Sequence, residues 1–259
     1  MKVTALQTDI LWGDKAANLH NAAQLMSDHP GSDMYVLPEM FSTGFTMTPE
    51  TMADKTLSTL LWMQRQAEMR QCALVGSVAA EEAGEYFNRT YFVCPDGTYT
   101  IYDKHHLFNP SGEDSHYHPG NKRKIVVYKG WRILLQTCYD LRFPVFSRNT
   151  GDYDVAIYIA SWPSSRLSAF TTLLHARAIE NQVYVIGVNR IGSDPACRYS
   201  GGSEIVDALG ATMAISQPDT VCAVTAHLEL DILRKQRREF AVLADADRFT
   251  LPDIDFTNK

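Results

Sequence analysis

Twice along its length the sequence runs strand, helix, strand, helix, strand and then into hairpins, and this doubled alternation limits the fold more than any other feature. In the first half, apolar strand-like runs at 3–7, 34–41 and 73–78 are separated by helical patterns at 14–27 and 57–70. Asp14 stands as N-cap of the first helix, Ala16, Leu19, Ala23 and Met26 recur at helical spacing, and Pro30-Gly31-Ser32 breaks it. Strands at 86–94 and 98–102 follow, joined at Pro95-Asp96-Gly97, where glycine supplies the positive φ of a turn. The second half brings strands at 125–128 and 131–137, a short helix at 144–148, a strand at 155–160, a helix at 165–181 and an apolar strand at 183–188. A hairpin at 204–207 and 211–215, a last strand at 221–228 and a basic helix at 229–238 close the pattern. One α/β domain over 1–259, built from two packed layers, suits this better than two independent domains. The tail from about 241 to 259 carries no firm pattern.

Bulk properties narrow the function. A chain of 259 residues with 45% hydrophobic and 21% charged residues can bury a substantial core. Its net charge of −6 argues against a general nucleic-acid or anionic-membrane surface. No apolar run approaches the roughly 18 residues that span a bilayer. The N-terminus reads directly as a strand rather than as a signal peptide, so a cytoplasmic protein is expected. The five cysteines are odd in number, scattered and without a C-x-x-C pair, which indicates neither a zinc knuckle nor a disulfide framework. Cys72, Cys94 and Cys222 read as core fillers, and Cys197 as an exposed loop residue.

Three strand ends carry chemistry. Glu39, Lys104 and Cys138 each follow closely on an apolar strand; if those strands are neighbours in one sheet and run the same way, the three side chains meet at one rim. A carboxylate there can take a thiol proton and later activate water, an ammonium can stabilise an oxyanion and lower the thiol pKa, and a thiolate can attack. Taken singly, Cys138 reads equally as a small core hydrophobe, and Glu39 or Lys104 as a solvated strand-end charge.

Leu-Pro-Glu-Met-Phe at 37–41, Tyr-Asp-Lys-His-His-Leu-Phe at 102–108 and Cys-Tyr-Asp-Leu-Arg-Phe-Pro at 138–144 resemble, in order and spacing, the nitrilase superfamily of carbon–nitrogen hydrolases. Ala-Ser-Trp-Pro at 160–163 and Arg-Ala-Ile-Glu-Asn at 177–181 extend the likeness over nearly the whole chain, which is most similar to the bacterial ω-amidase (2-oxoglutaramate amidase) group. The resemblance implies an α-β-β-α sandwich, homodimers, a Glu–Lys–Cys triad of Glu39 as general base, Lys104 as oxyanion stabiliser and Cys138 as nucleophile, and Glu113 as a second carboxylate near them. It implies hydrolysis of an amide through a thioester, with a small amide as the binding partner and no metal or organic cofactor required.

Arg142, four residues past the cysteine, reaches the same rim on a short helical turn and suits a substrate carboxylate; its alternative is an internal salt bridge to Asp140 or another acid. Such a carboxylate fits a dicarboxylic acid monoamide. The Tyr139 N–H is a second oxyanion donor, and Phe41, Tyr139, Phe143 and Trp162 are candidate walls that could equally be core. His105, His106, His116 and His118 raise a metal hydrolase as a competitor, but adjacent histidines on a strand point apart and no H-E-x-x-H occurs. A nucleophile elbow of the G-x-S-x-G type fails at Gln136 and Asp140. A nitrilase, a carbamoylase or an amidase for another acyl group keeps the same triad. From another class, a non-catalytic binding protein on the same fold remains.

Overall fold

The computed structural model describes residues 1–247 and 249–251, so the last residues of the patternless tail lie outside it. The first half contains β1 (Lys2–Gln7), α1 (Lys15–Asp28), β2 (Met34–Val36), α2 (Pro49–Met52), α3 (Ser58–Arg70), β3 (Ala73–Glu82), β4 (Glu85–Val93) and β5 (Tyr99–Asp103). The second contains β6 (Ile125–Tyr128), β7 (Trp131–Thr137), α4 (Pro144–Ser147), β8 (Val155–Ala160), α5 (Leu167–Asn181) and β9 (Tyr184–Asn189). The short ribbon β10 (Ile191–Ser193) and β11 (Arg198–Ser200) follows, then β12 (Glu204–Val206), β13 (Thr212–Ile215), β14 (Cys222–His227) and α6 (Leu230–Glu239).

Two six-stranded sheets result, in the orders β14-β1-β2-β3-β4-β5 and β13-β12-β9-β8-β7-β6. Their apolar runs are continuous because both faces of each sheet are covered. In β7, Ile133 and Leu135 face the other sheet, where Val36, Val75 and Phe92 meet them. Leu134 between them points outward to Phe170, Leu174 and Ala178 of α5. On the opposite side Leu6, Tyr35 and Leu74 pack beneath Leu25 and Met26 of α1 and Leu60 and Met63 of α3. The layers are therefore helix, sheet, sheet, helix, the four-layer sandwich expected. β14 returns from the second half to pair antiparallel with β1, from Lys2 opposite His227 to Gln7 opposite Cys222.

Local differences from the sequence reading have local causes. The strand expected over 34–41 stops at Val36, since Pro38 has no N–H for the ladder. The α1 face that is buried is Asn18, Ala22, Leu25 and Met26, because Asn18 pins the helix start to the Leu11 and Ser42 carbonyls at 2.8 and 3.0 Å. β3 runs on to Glu82 and pairs residue by residue with β4, and the β10–β11 ribbon carries no apolar run to announce it. Among the described residues no helix is long and apolar enough to cross a membrane.

Candidate active site

β2 is parallel to β3, and β4 and β5 each reverse, so β2 and β5 run the same way and deliver Glu39 and Lys104 to one end of the first sheet. Cys138 follows β7 of the second sheet. The expectation of a single sheet is thus corrected: the residues meet across the sandwich, because each half supplies its own sheet. The Ser161 N–H, just past β8, bridges the halves by donating to Glu39 Oε2 at 2.8 Å.

Glu39, Asn88, Lys104 and Glu113 are all fully buried. Lys104 Nζ donates to Glu39 Oε1 at 2.9 Å and to Glu113 Oε2 at 2.8 Å, leaving one of its three N–H groups unspent. Asn88 Nδ2 spans the same carboxylates, at 2.7 Å to Glu39 and 3.0 Å to Glu113, and the Phe108 N–H donates to Glu113 at 2.6 Å. Burial works against the Lys104 charge, yet Glu113 and Glu39 together hold it above the usual lysine range. Burial pushes the Glu113 carboxyl up, and Lys104 offsets this only in part. The Cys138 thiol lies beside Glu39, Lys104 and the Ser161 N–H; burial and then the Glu39 charge push it well above the ordinary thiol range, against the opposing pull of Lys104. Lys104 thus pulls the thiol down as expected beside an ammonium, but burial and Glu39 outweigh it.

Cys138 sits at φ 47° and Met40, next to Glu39, at φ 45°, left-handed conformations that cost non-glycine residues on the order of 1–3 kcal/mol each. The turn after Thr137 is held by a reciprocal cap: the Thr137 side chain accepts from the Asp140 N–H while the Asp140 carboxylate accepts from the Thr137 N–H. At the Lys104 end Gly120 is obligatory, because a Cβ there would lie 2.1 Å from the Asp103 carbonyl oxygen.

Cys138 and Ser161 open on a cavity of about 570 Å³ whose walls include Tyr139, Arg142, Phe108 and Trp162. The Arg142 guanidinium lies 4.8 Å over the Trp162 ring and makes no ion pair among the described residues. Asp140, its expected alternative partner, is fully buried and takes donors from Tyr102, Thr137 and His106 instead. Phe41 is not a wall: past the reversed turn at Met40 it packs into the outer core, 5.9 Å from the Trp62 ring and against Gly76. Phe143 stacks on His106 with ring centroids 3.9 Å apart. Cys197, expected as an exposed bystander, is half-buried on the cavity wall.

The four histidines disperse. His105 Nδ1 meets the Gly120 carbonyl at 2.6 Å and His106 Nδ1 meets Asp140 at 2.8 Å, their rings 4.5 Å apart rather than opposed because the strand has ended, while His116 and His118 are exposed. Asn88 and Ser161 escaped the sequence reading. A polar amide amid the strand residues Tyr86, Phe87, Thr90 and Tyr91 was the only signal for the first, and a backbone N–H leaves none for the second.

Comparison with known proteins agrees with this geometry. The chain is 44% identical over 252 residues to ω-amidase YafV of Yersinia enterocolitica, covering 97% of this chain and 98% of that one. It is 32% identical over 219 residues to the 2-oxoglutaramate amidase of Bacillus subtilis, covering 82% and 85%. A crystal structure of a CN-hydrolase superfamily protein from Xanthomonas campestris, with an arsenic adduct in its active site, superposes with a TM-score of 0.93 at 37% identity, covering 97% and 98% of the two chains. The carbon–nitrogen hydrolase family profile matches residues 2–238. With that match, this fold and these relatives, the chain belongs to the carbon–nitrogen hydrolase family, the nitrilase superfamily, and stands with its ω-amidase group.

Proposed function

We propose that this protein is an amidase that hydrolyses the terminal amide of a small dicarboxylic acid monoamide, 2-oxoglutaramate-like, to the acid and ammonia through a thioester on Cys138. The observation that carries the chemistry is the buried convergence of Cys138, Glu39 and Lys104 beneath one cavity. Glu39 Oε1 is spent on Lys104 and Asn88, whereas Oε2 takes the Ser161 N–H and keeps a lone pair that can receive the thiol proton. As that proton moves to Glu39, Sγ bonds to the amide carbon and the carbonyl oxygen gains charge, held by the unspent Lys104 N–H and the Tyr139 N–H. The C–N bond then breaks, and ammonia leaves with the proton from Glu39. Water attacks the thioester while Glu39 takes its proton; the C–S bond breaks and the thiol is re-protonated. Glu113 holds Lys104 by a second hydrogen bond and shares Asn88 with Glu39.

The names of the relatives support the ω-amide substrate, and Arg142 on the cavity wall supports its carboxylate. The homodimer and the cytoplasmic location expected from the sequence belong to the same proposal; sedimentation of the purified protein at twice 29.1 kDa would support the dimer. The decisive experiment is ammonia release from ω-amides, α-amides, N-carbamoyl acids and nitriles, with Cys138→Ala beside the wild type. Turnover of acidic ω-amides that vanishes in the variant is the expected result. Undiminished turnover by Cys138→Ala, or preference for a nitrile or carbamoyl compound, would overturn it.

A further inference from the structure

The cavity wall holds a second guanidinium. Arg166 ends the turn that follows Trp162-Pro163, and its main chain is pinned on both sides: its N–H donates to the Pro163 carbonyl at 3.0 Å, and its carbonyl accepts from Trp162 Nε1 at 2.8 Å. The side chain lies 5.4 Å over the Phe108 ring, as Arg142 lies over Trp162. Each planar cation is thus backed by an aromatic wall residue, an arrangement that orients the fork while leaving its N–H edge free.

Neither guanidinium donates to any described acceptor of the protein, in a chain whose net charge of −6 offers many acids. The acid on the same wall, Asp194, is engaged by its own loop. It accepts from the Ala196 and Cys197 N–H groups at 2.8 and 2.7 Å and from the Tyr199 hydroxyl at 2.6 Å. Two arginines against one occupied carboxylate leave the wall with an excess of positive charge and unspent donors, beside the cavity into which Cys138 opens.

We propose that Arg166 is a specificity-determining residue that, with Arg142, holds the acidic end of the substrate amide. The inference rests on the carboxylate-bearing substrate proposed above. One fork satisfies a carboxylate bidentately; a second fork takes its remaining lone pairs or an acceptor next to it, such as a 2-oxo oxygen. Arg166 therefore favours amides with an acceptor-rich anionic end over neutral amides of the same length.

The test compares kcat/KM for succinamate with that for butyramide, amides of the same carbon-chain length that end in a carboxylate and a methyl respectively, in the wild type, Arg166→Gln and Arg166→Lys. A charge-assisted hydrogen bond lost should lower the succinamate-to-butyramide ratio of Arg166→Gln by about tenfold to a hundredfold, carried by KM, with Arg166→Lys between the two. A structural role would lower both substrates in proportion and leave the ratio unchanged, which overturns the inference, as does an Arg166→Gln that matches the wild type. A wild type without preference for succinamate would instead overturn the carboxylate-bearing substrate itself.

Discussion

The Tyr102 hydroxyl donates to the Asp140 carboxylate at 2.6 Å, joining the strand that leads to Lys104 to the turn that begins at Cys138. Asp140 also accepts from the Thr137 and His106 N–H groups, both at 2.9 Å, and meets His106 Nδ1 at 2.8 Å. Burial alone would raise its pKa, but His106, Tyr102 and Thr137 outweigh that and hold it below the usual carboxylate range.

Tyr102→Phe removes the cross-sheet bond without opening a cavity. It should cost about 1–2 kcal/mol in denaturant unfolding. Because the bond sets where the thiol stands relative to the ammonium, kcat should fall while KM stays near the wild-type value. A change confined to KM would separate this contact from the catalytic geometry.

The upward push on the Cys138 thiol makes a prediction about reactivity. A thiol pushed well above its ordinary range gains thiolate only slowly as pH rises. Alkylation of the free enzyme by iodoacetamide at Cys138, followed by peptide mass spectrometry, should therefore keep accelerating beyond about pH 9. A plateau near neutrality would indicate a preformed thiolate–ammonium pair.

Glu113 links the site to stability. Its carboxyl is raised above the ordinary 4.5 by burial, so the stability it contributes is present below that value and is lost as pH rises through its folded pKa. As pH rises above the ordinary carboxyl range, the wild type should lose more Tm than Glu113→Gln, in which the titration is absent. Carboxylates held below their usual range, such as Asp140, finish titrating at lower pH and do not enter this window. Parallel Tm curves would contradict the assignment.

Phe41 sits in the outer core, so its truncation should act on folding rather than on substrate. Phe41→Ala should cost about 3–5 kcal/mol in chemical denaturation. Its KM values for acidic and neutral amides should match those of the wild type, since Phe41 does not line the cavity. A selective loss on either substrate would return it to the wall.

Much of this architecture was legible in the residue pattern. Strands such as Val155–Ala160 and Trp131–Thr137 stand out because burial on both faces leaves unbroken apolar runs. Glu39, Lys104 and Cys138 stand out because charge or thiol follows such runs abruptly. What stayed hidden depends on three-dimensional turns. The reversal at Met40 sends Phe41 outward, which no periodicity encodes. Asn88 works through partners 49 and 25 residues away. The pairing of Arg166 with Phe108 depends on two loops meeting, and loops carry no hydrophobic period.

The placement of Glu39 and Lys104 on one sheet and Cys138 on the other also has a meaning in time. As the polypeptide leaves the ribosome, Glu39 and Lys104 emerge before Cys138. Yet β14, made after β9, still has to return to the edge of the first sheet beside β1. The first sheet, which carries Glu39 and Lys104, is therefore completed only after the strand that leads to Cys138 has been made.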